Sequence, residues 1–228
     1  SIGSTQESFG MCNLPDGKVV ILGFSGPIPY NANNCIGDIY DPIADTLTPI
    51  PFAFGLSMDD IYYVGNNKVL AFPSGWPTPI VVNLATGDFE FSDIRPGRKS
   101  LPNNVTIQDS NGNIWALAGI TPDDYHNTPV SQSTVFMFDP ITSQWTQKAN
   151  LLVKRHDCSA VLLPGNKIGI YGGNTIEQTD PTDVRVGANT KLTKLLSTEI
   201  YDIASNTSSL STDLVGIRSR TEAIYLQT

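Results

Sequence analysis

The sequence predicts an all-β chain assembled from a repeated four-stranded antiparallel unit, and three observations predict it. First, a turn followed by a short apolar strand recurs four times: PDGKVVILGF at Pro15–Phe24, GNNKVLAF at Gly65–Phe72, SNGNIWALAG at Ser110–Gly119 and PGNKIGIYGG at Pro164–Gly173. Second, each copy is followed by another signature: Tyr40-Asp41-Pro42 with Leu47, Val82-Asn83 with Phe89, Phe138-Asp139-Pro140 with Trp145, and Tyr201-Asp202 with Ser208. Third, no window carries sustained helical periodicity with caps; Lys191–Leu196 comes nearest and is too short. Short β-branched and aromatic runs bounded by Gly, Asn, Asp and Pro read as strands. Four such strands repeating every roughly 40–50 residues form the blade of a β-propeller.

The elements follow in order. The first blade spans about residues 8–54, opened by a strand at Ser8–Leu14. The second spans 55–97, the third 98–152 and the fourth 153–215, all within one propeller region covering residues 1–228. Residues 219–228 resemble the strand that opens the fourth blade. The expectation is therefore four blades plus the first strand of a fifth, an incomplete ring. A longer chain or a partner would supply the remaining blades.

The repeat anchors act as a ruler. From Asp41 to Lys68, Asn83 to Asn113, and Asp139 to Lys167 the distances are 27, 30 and 28 residues. From Lys18 to Asp41, Lys68 to Asn83, Asn113 to Asp139, and Lys167 to Asp202 they are 23, 15, 26 and 35. The length variation thus falls on one connection, between strands two and three of each blade. Inner strands crowd together, so Gly or Ala is required where backbones approach closely. Outer positions favour Tyr, Phe and Trp. The Asp or Asn after the aromatic can bond its own downstream backbone and shape the turn.

These residues resemble a kelch repeat. The fourth unit carries Arg155-His156 before Ser159–Leu163, then Ile170-Tyr171-Gly172-Gly173, then Glu199-Ile200-Tyr201-Asp202. The third carries Phe138-Asp139-Pro140 and Trp145, where the resemblance implies an aromatic packed between adjacent blades. Only Gly172-Gly173 is a true diglycine; its counterparts are Gly23 with Gly26, Ala71 with Gly75, and Ala118-Gly119. The resemblance implies a kelch-type propeller like the central domain of galactose oxidase, with a ring of six or seven blades.

Composition narrows the function. Hydrophobic residues make up 40% of the chain and charged residues only 16%, which suits a loop-rich all-β protein. No apolar run approaches the roughly 20 residues that span a bilayer as a helix. The 14 basic and 22 acidic residues leave a net charge of −8, which opposes nucleic-acid binding through a basic field. Two sequons, Asn104-Val105-Thr106 and Asn206-Thr207-Ser208, are glycosylation candidates. Cys12 and Cys35 fall in one repeat and are a disulfide candidate, while Cys158 falls in a predicted inner strand. These features favour an extracellular or cell-surface location over a cytoplasmic one.

Two groups of side chains are candidates for binding. Arg98, Arg155 with His156, and Arg220 each precede the opening strand of a blade, at the mouth of the central channel. Guanidinium forks placed there would take a carboxylate, a phosphate or an acidic peptide, or would instead bond backbone carbonyls. The long connections carry Tyr30 and Asn34, then Asp124, Tyr125 and His126. No catalytic residue, metal ligand or cofactor emerges from the pattern. Serine nucleophiles lack an elbow motif, and only two histidines, His126 and His156, are available to a triad or a metal. Asp109–Asn113 superficially resembles the start of a calcium loop, but it occupies a predicted hairpin turn. The favoured expectation is a non-catalytic module recognising protein or glycan, with self-assembly as a further possibility. The alternative is part of a copper-radical oxidase whose catalytic residues lie outside this chain.

Overall fold

The computed structural model describes residues 8–24, 35–51, 58–73, 78–92, 104–122, 129–179, 190–219 and 223–224, all in strands, turns and irregular segments. The chain divides into two compact units, residues 1–94 and 95–228.

The first unit holds two four-stranded antiparallel sheets in simple meander order. Sheet one is β1 (Ser8–Asn13), β2 (Val19–Phe24), β3 (Cys35–Asp41) and β4 (Thr46–Ile50). Sheet two is β5 (Met58–Gly65), β6 (Lys68–Pro73), β7 (Ile80–Asn83) and β8 (Phe89–Phe91). Hairpin turns take left-handed residues where the twist of the strands demands them. Gly65 pairs with Lys68, and Asn66 and Asn67 between them both have positive φ, a two-residue turn suited to asparagine. One apolar core runs between the sheets, with Val20, Leu22, Val69, Ile80 and Val82 fully buried. The sheets meet so closely that a Cβ on Gly10 of β1 would lie 2.8 Å from Ile61 Cγ2 of β5.

The second unit repeats the plan twice. Sheet three is β9 (Val105–Gln108), β10 (Ile114–Leu117), β13 (Val135–Asp139) and β14 (Gln144–Gln147), and β11 (Ile120–Pro122) pairs with β12 (Pro129–Ser131) as a separate ribbon. Sheet four is β15 (Ser159–Leu163), β16 (Lys167–Tyr171), β19 (Thr198–Asp202) and β20 (Thr207–Leu210), with a second ribbon of β17 (Asn174–Gln178) and β18 (Thr190–Lys194). The core of this unit joins Trp115, Leu117 and Val135 to Ile168, Ile170 and Tyr201. The Trp115 and Tyr201 rings meet in a tilted contact with centroids 5.6 Å apart, and the Trp115 indole donates to Asp109 Oδ2 at 2.9 Å. Asp109 also accepts from the Asn111 and Asn113 amides, so its carboxylate is consumed by the turn. The hairpin reading of Asp109–Asn113 therefore holds.

The register explains the seven-residue spacing of the second signature. Tyr40 lies opposite Leu47, Val82 opposite Phe89, Phe138 opposite Trp145 and Tyr201 opposite Ser208, each pair across the last hairpin of its sheet. The intervening turns are held as expected. Asp41 Oδ1 accepts from the Ile43 and Ala44 amides, Asn83 from Ala85 and Thr86, Asp139 from Ile141 and Thr142, and Asp202 from Ser205.

The outer positions divide: Phe138 and Tyr201 on the third strands of their sheets are buried, whereas Leu47 on a fourth strand is 60% exposed. One expectation for the repeat residues is corrected. Trp145 is half-buried and makes a tilted ring contact, centroids 5.3 Å apart, with Phe138 of its own sheet, its direct cross-strand partner. Among the described residues the fully buried tryptophan is Trp115, on an inner strand. Of the strand expected at 219–228, residues 219, 223 and 224 are described and belong to no strand; the others lie outside the described residues.

Candidate recognition site

The connection between strands two and three of a blade is where the sequence concentrates its length variation, and in the second unit two of these connections become ordered ribbons. In β11–β12, Ile120 pairs with Ser131 and Pro122 with Pro129. In β17–β18, Asn174 pairs with Lys194 and Gln178 with Thr190. The chain reaches each ribbon through tight backbone. Gly172 and Gly173 have φ of +59° and +90°. A Cβ on Gly172 would lie 2.5 Å from the Arg218 carbonyl oxygen, and one on Gly173 would lie 2.6 Å from that of His156. Only glycine fits both the conformation and the space.

Arg155 and His156 join the two ribbons. The Arg155 amide donates to the Gln132 carbonyl, and the Arg155 carbonyl accepts from the Gly119 amide, each at 2.9 Å. On the other side, His156 and Asn174 exchange both backbone bonds at 2.9 Å. A side-chain link reinforces the join. Ser131 Oγ accepts from the Ile176 amide at 2.7 Å and lies 2.8 Å from His156 Nδ1.

The expectation that Arg155 and His156 read a ligand at a channel mouth is therefore corrected. The Arg155 side chain is fully buried. Its Nη1 donates to the Gly172 carbonyl at 2.7 Å and the Ser197 carbonyl at 3.1 Å. Its Nη2 donates to Glu199 Oε1 at 2.7 Å and to Ser197 Oγ. Glu199, equally buried, accepts further bonds from the Leu152 and Val153 amides and the Ser208 hydroxyl. Such a pair is tolerable inside a protein because every carboxylate lone pair meets a donor. The alternative weighed for the arginines, bonding to backbone carbonyls, is what Arg155 does. His156 is 4% exposed and engaged by Ser131, so it too is structural.

Sequence reasoning missed Glu199, Ser131 and Asn174. A signal for Glu199 existed: strand alternation puts it on the same face as Tyr201, so a charge enters a buried face and must find a partner. Nothing in the sequence pointed to Ser131 or Asn174, whose partners lie at long range. Arg98, Arg220, Tyr30, Asn34, Asp124, Tyr125 and His126 lie outside the described residues.

The disulfide candidate is also corrected. Cys12 pairs in register with Val20, and Cys35 with Phe24, so the two stand at opposite ends of β2 on different flanking strands. Cysteine Cα atoms more than about 7 Å apart cannot be bridged. The Cys12 thiol is free, and burial pushes it up to about 11; Cys158 is free as well, and burial pushes it up to about 12. Both are poor nucleophiles and metal ligands in the folded state.

The outer strand of the second ribbon is exposed along its length. Every residue of β18 is exposed, including Lys191, Leu192 and Lys194, and Leu192 is 60% exposed. Among the described residues β18 pairs on one side only, leaving a strand edge open. Among the described residues no three His, Cys, Asp or Glu side chains converge in a way that could hold a metal ion.

Together, the four meander sheets and their anchored turns are the blades of a kelch-like β-propeller. No family model matches the sequence, and no curated protein matches it. Solved structures do. The chain is similar to a structure described as a novel fungal alcohol oxidase with catalytic diversity among the AA5 family, in complex with copper. The TM-score is 0.64 at 20% identity, over 94% of this chain and 46% of that one. It is also similar to YjhT, with a TM-score of 0.61 at 9% identity, over 94% of this chain and 69% of that one. The chain thus spans about half the length of the oxidase.

Proposed function

We propose that the chain is a non-catalytic recognition module of a surface or extracellular assembly, and that the ribbon pair of the second unit takes a protein partner. The observation that carries this reading is the double ribbon itself. Arg155 and His156 stitch two long connections into one ordered element, and its outer strand presents Leu192 between two lysines on an acidic chain. An exposed strand edge offers backbone bonds to an extended segment, and flanking lysines favour an acidic one. The test is affinity capture of partners by the full chain, set against a Lys191→Glu/Leu192→Asp/Lys194→Glu variant. The expected result is loss of the captured partner with an unchanged melting temperature. Equal capture by both proteins counts against the ribbon as the site, and a glycan array distinguishes a carbohydrate ligand.

A second reading is favoured by the similarity to the copper-bound fungal oxidase: the chain would be the propeller part of an oxidase. The described residues do not fit a copper centre, since His156 is bonded to Ser131 in a buried joint and the thiols of Cys12 and Cys158 are buried. Stoichiometric copper with alcohol or aldehyde oxidation by the native polypeptide would establish this reading over the first.

A further inference from the structure

We propose that Asn206 carries an N-linked glycan, held at the end of sheet four opposite the ribbons. Asn206 closes the β19–β20 hairpin in the left-handed region, at φ +55°, and is exposed. Its Oδ1 accepts from the Tyr201 hydroxyl at 2.6 Å and from the Ala149 amide at 3.1 Å. A backbone N–H can only donate, so the amide oxygen is identified and the other atom is Nδ2. No described residue bonds Nδ2, so the atom that receives a glycan is the one left unengaged.

The chemistry is a simple displacement. Asn206 Nδ2 attacks C1 of an oligosaccharide carried on a lipid diphosphate. The C1–N bond forms, the C1–O bond to the diphosphate breaks, the lipid diphosphate departs, and one Nδ2 proton is lost. The product amide keeps Oδ1 as an acceptor, so the bonds from Tyr201 and Ala149 survive attachment. In the folded hairpin the sequon hydroxyl of Ser208 donates to Glu199 at 2.7 Å. The sequon is fully available before β20 closes on β19, and the folded hairpin accommodates the product because Nδ2 stays unengaged on an exposed residue.

The two sequons differ in what the fold does with them. Asn104 is half-buried and immediately precedes β9, whose Val105 pairs with Leu117 at the end of β10 that leads into the first ribbon. A glycan there would stand at the base of the ribbons. Asn206 sits at the other end of its sheet, beside the β15–β16 turn, because Asp202 pairs with Lys167 while Thr198 pairs with Tyr171. A glycan on Asn206 leaves the ribbons clear.

The test is site occupancy in the full chain secreted from a eukaryotic host. N-glycans are removed enzymatically in ¹⁸O-water, and peptides are read by mass spectrometry for Asn converted to labelled Asp. The expected result is label at Asn206 in most molecules. Asn206→Asp retains an acceptor for Tyr201 and Ala149, so it should lose the glycan-dependent gel shift and keep the fold. Ser208→Thr preserves the sequon and should keep the shift. An unlabelled Asn206 in the wild-type chain, whether secreted or retained, overturns the proposal, as does label at Asn104 alone.

Discussion

The two units share a blade plan but bury different chemistry. Among the described residues, the first unit buries one polar side chain, Ser92, beneath a core of Val, Leu, Ile, Met and Ala. The second buries Asp109, Ser131, Arg155, His156, Ser159, Asn174, Thr175, Thr198 and Glu199. Apolar packing holds blades together without specifying what the connections do, because the hydrophobic effect is non-directional. The polar joint of the second unit is directional. It anchors Gly172, Ser197, Leu152 and Val153 through one ion pair, and that anchoring places the ribbons.

The contrast is broken most strongly at that ion pair. Arg155→Ala or Glu199→Ala should each cost about 3–5 kcal/mol, because the surviving charge stays buried without its partner. The double change Arg155→Met/Glu199→Leu should cost much less than the sum of the two. Denaturant titration measures all three, and single variants close to wild type would show that the joint is dispensable. The matching change in the first unit is Leu22→Ala, expected to cost about 2–5 kcal/mol through the cavity it leaves. No compensating second substitution of opposite polarity should exist for it, which separates packing from pairing.

The smallest effect concerns the repeated turns. Asp41, Asp139 and Asp202 are each held below the ordinary carboxylate range, chiefly by the backbone amides they accept from, with lysines adding to this for Asp41 and Asp202. A carboxyl with a lowered folded pKa stabilises fully above its unfolded value and loses that contribution as pH falls through the folded one. Thermal stability should therefore decline below about pH 4, the usual carboxylate value. Asn83 makes the same pair of bonds in sheet two without titrating. The Asp41→Asn/Asp139→Asn/Asp202→Asn variant should accordingly show a flatter acid limb in melting temperature.

Much of the scaffold was readable because it is local. The turn-and-strand repeat, the Asx turns and the seven-residue pairing each involve residues within about ten positions, where periodicity and turn chemistry act directly. The candidate site was far less readable. Arg155 stands out in the sequence, but which of its two readings applies is decided by Glu199 and Ser197, which meet it from 44 and 42 residues away. Burial of Trp115 rather than Trp145 was hidden for a similar reason: propensity identifies a strand, while only packing of neighbouring sheets decides which strand is inside.

By itself, then, the sequence determined that the chain is all-β, where its blades repeat, and which connection is free to vary. Those properties follow from alternation, turn residues and spacing along the chain. The tertiary structure alone decided that two of the variable connections become ribbons, that an arginine and a histidine stitch them, and which face stays exposed. Those outcomes depend on contacts between residues far apart in sequence, where long-range geometry rather than local preference selects the partner.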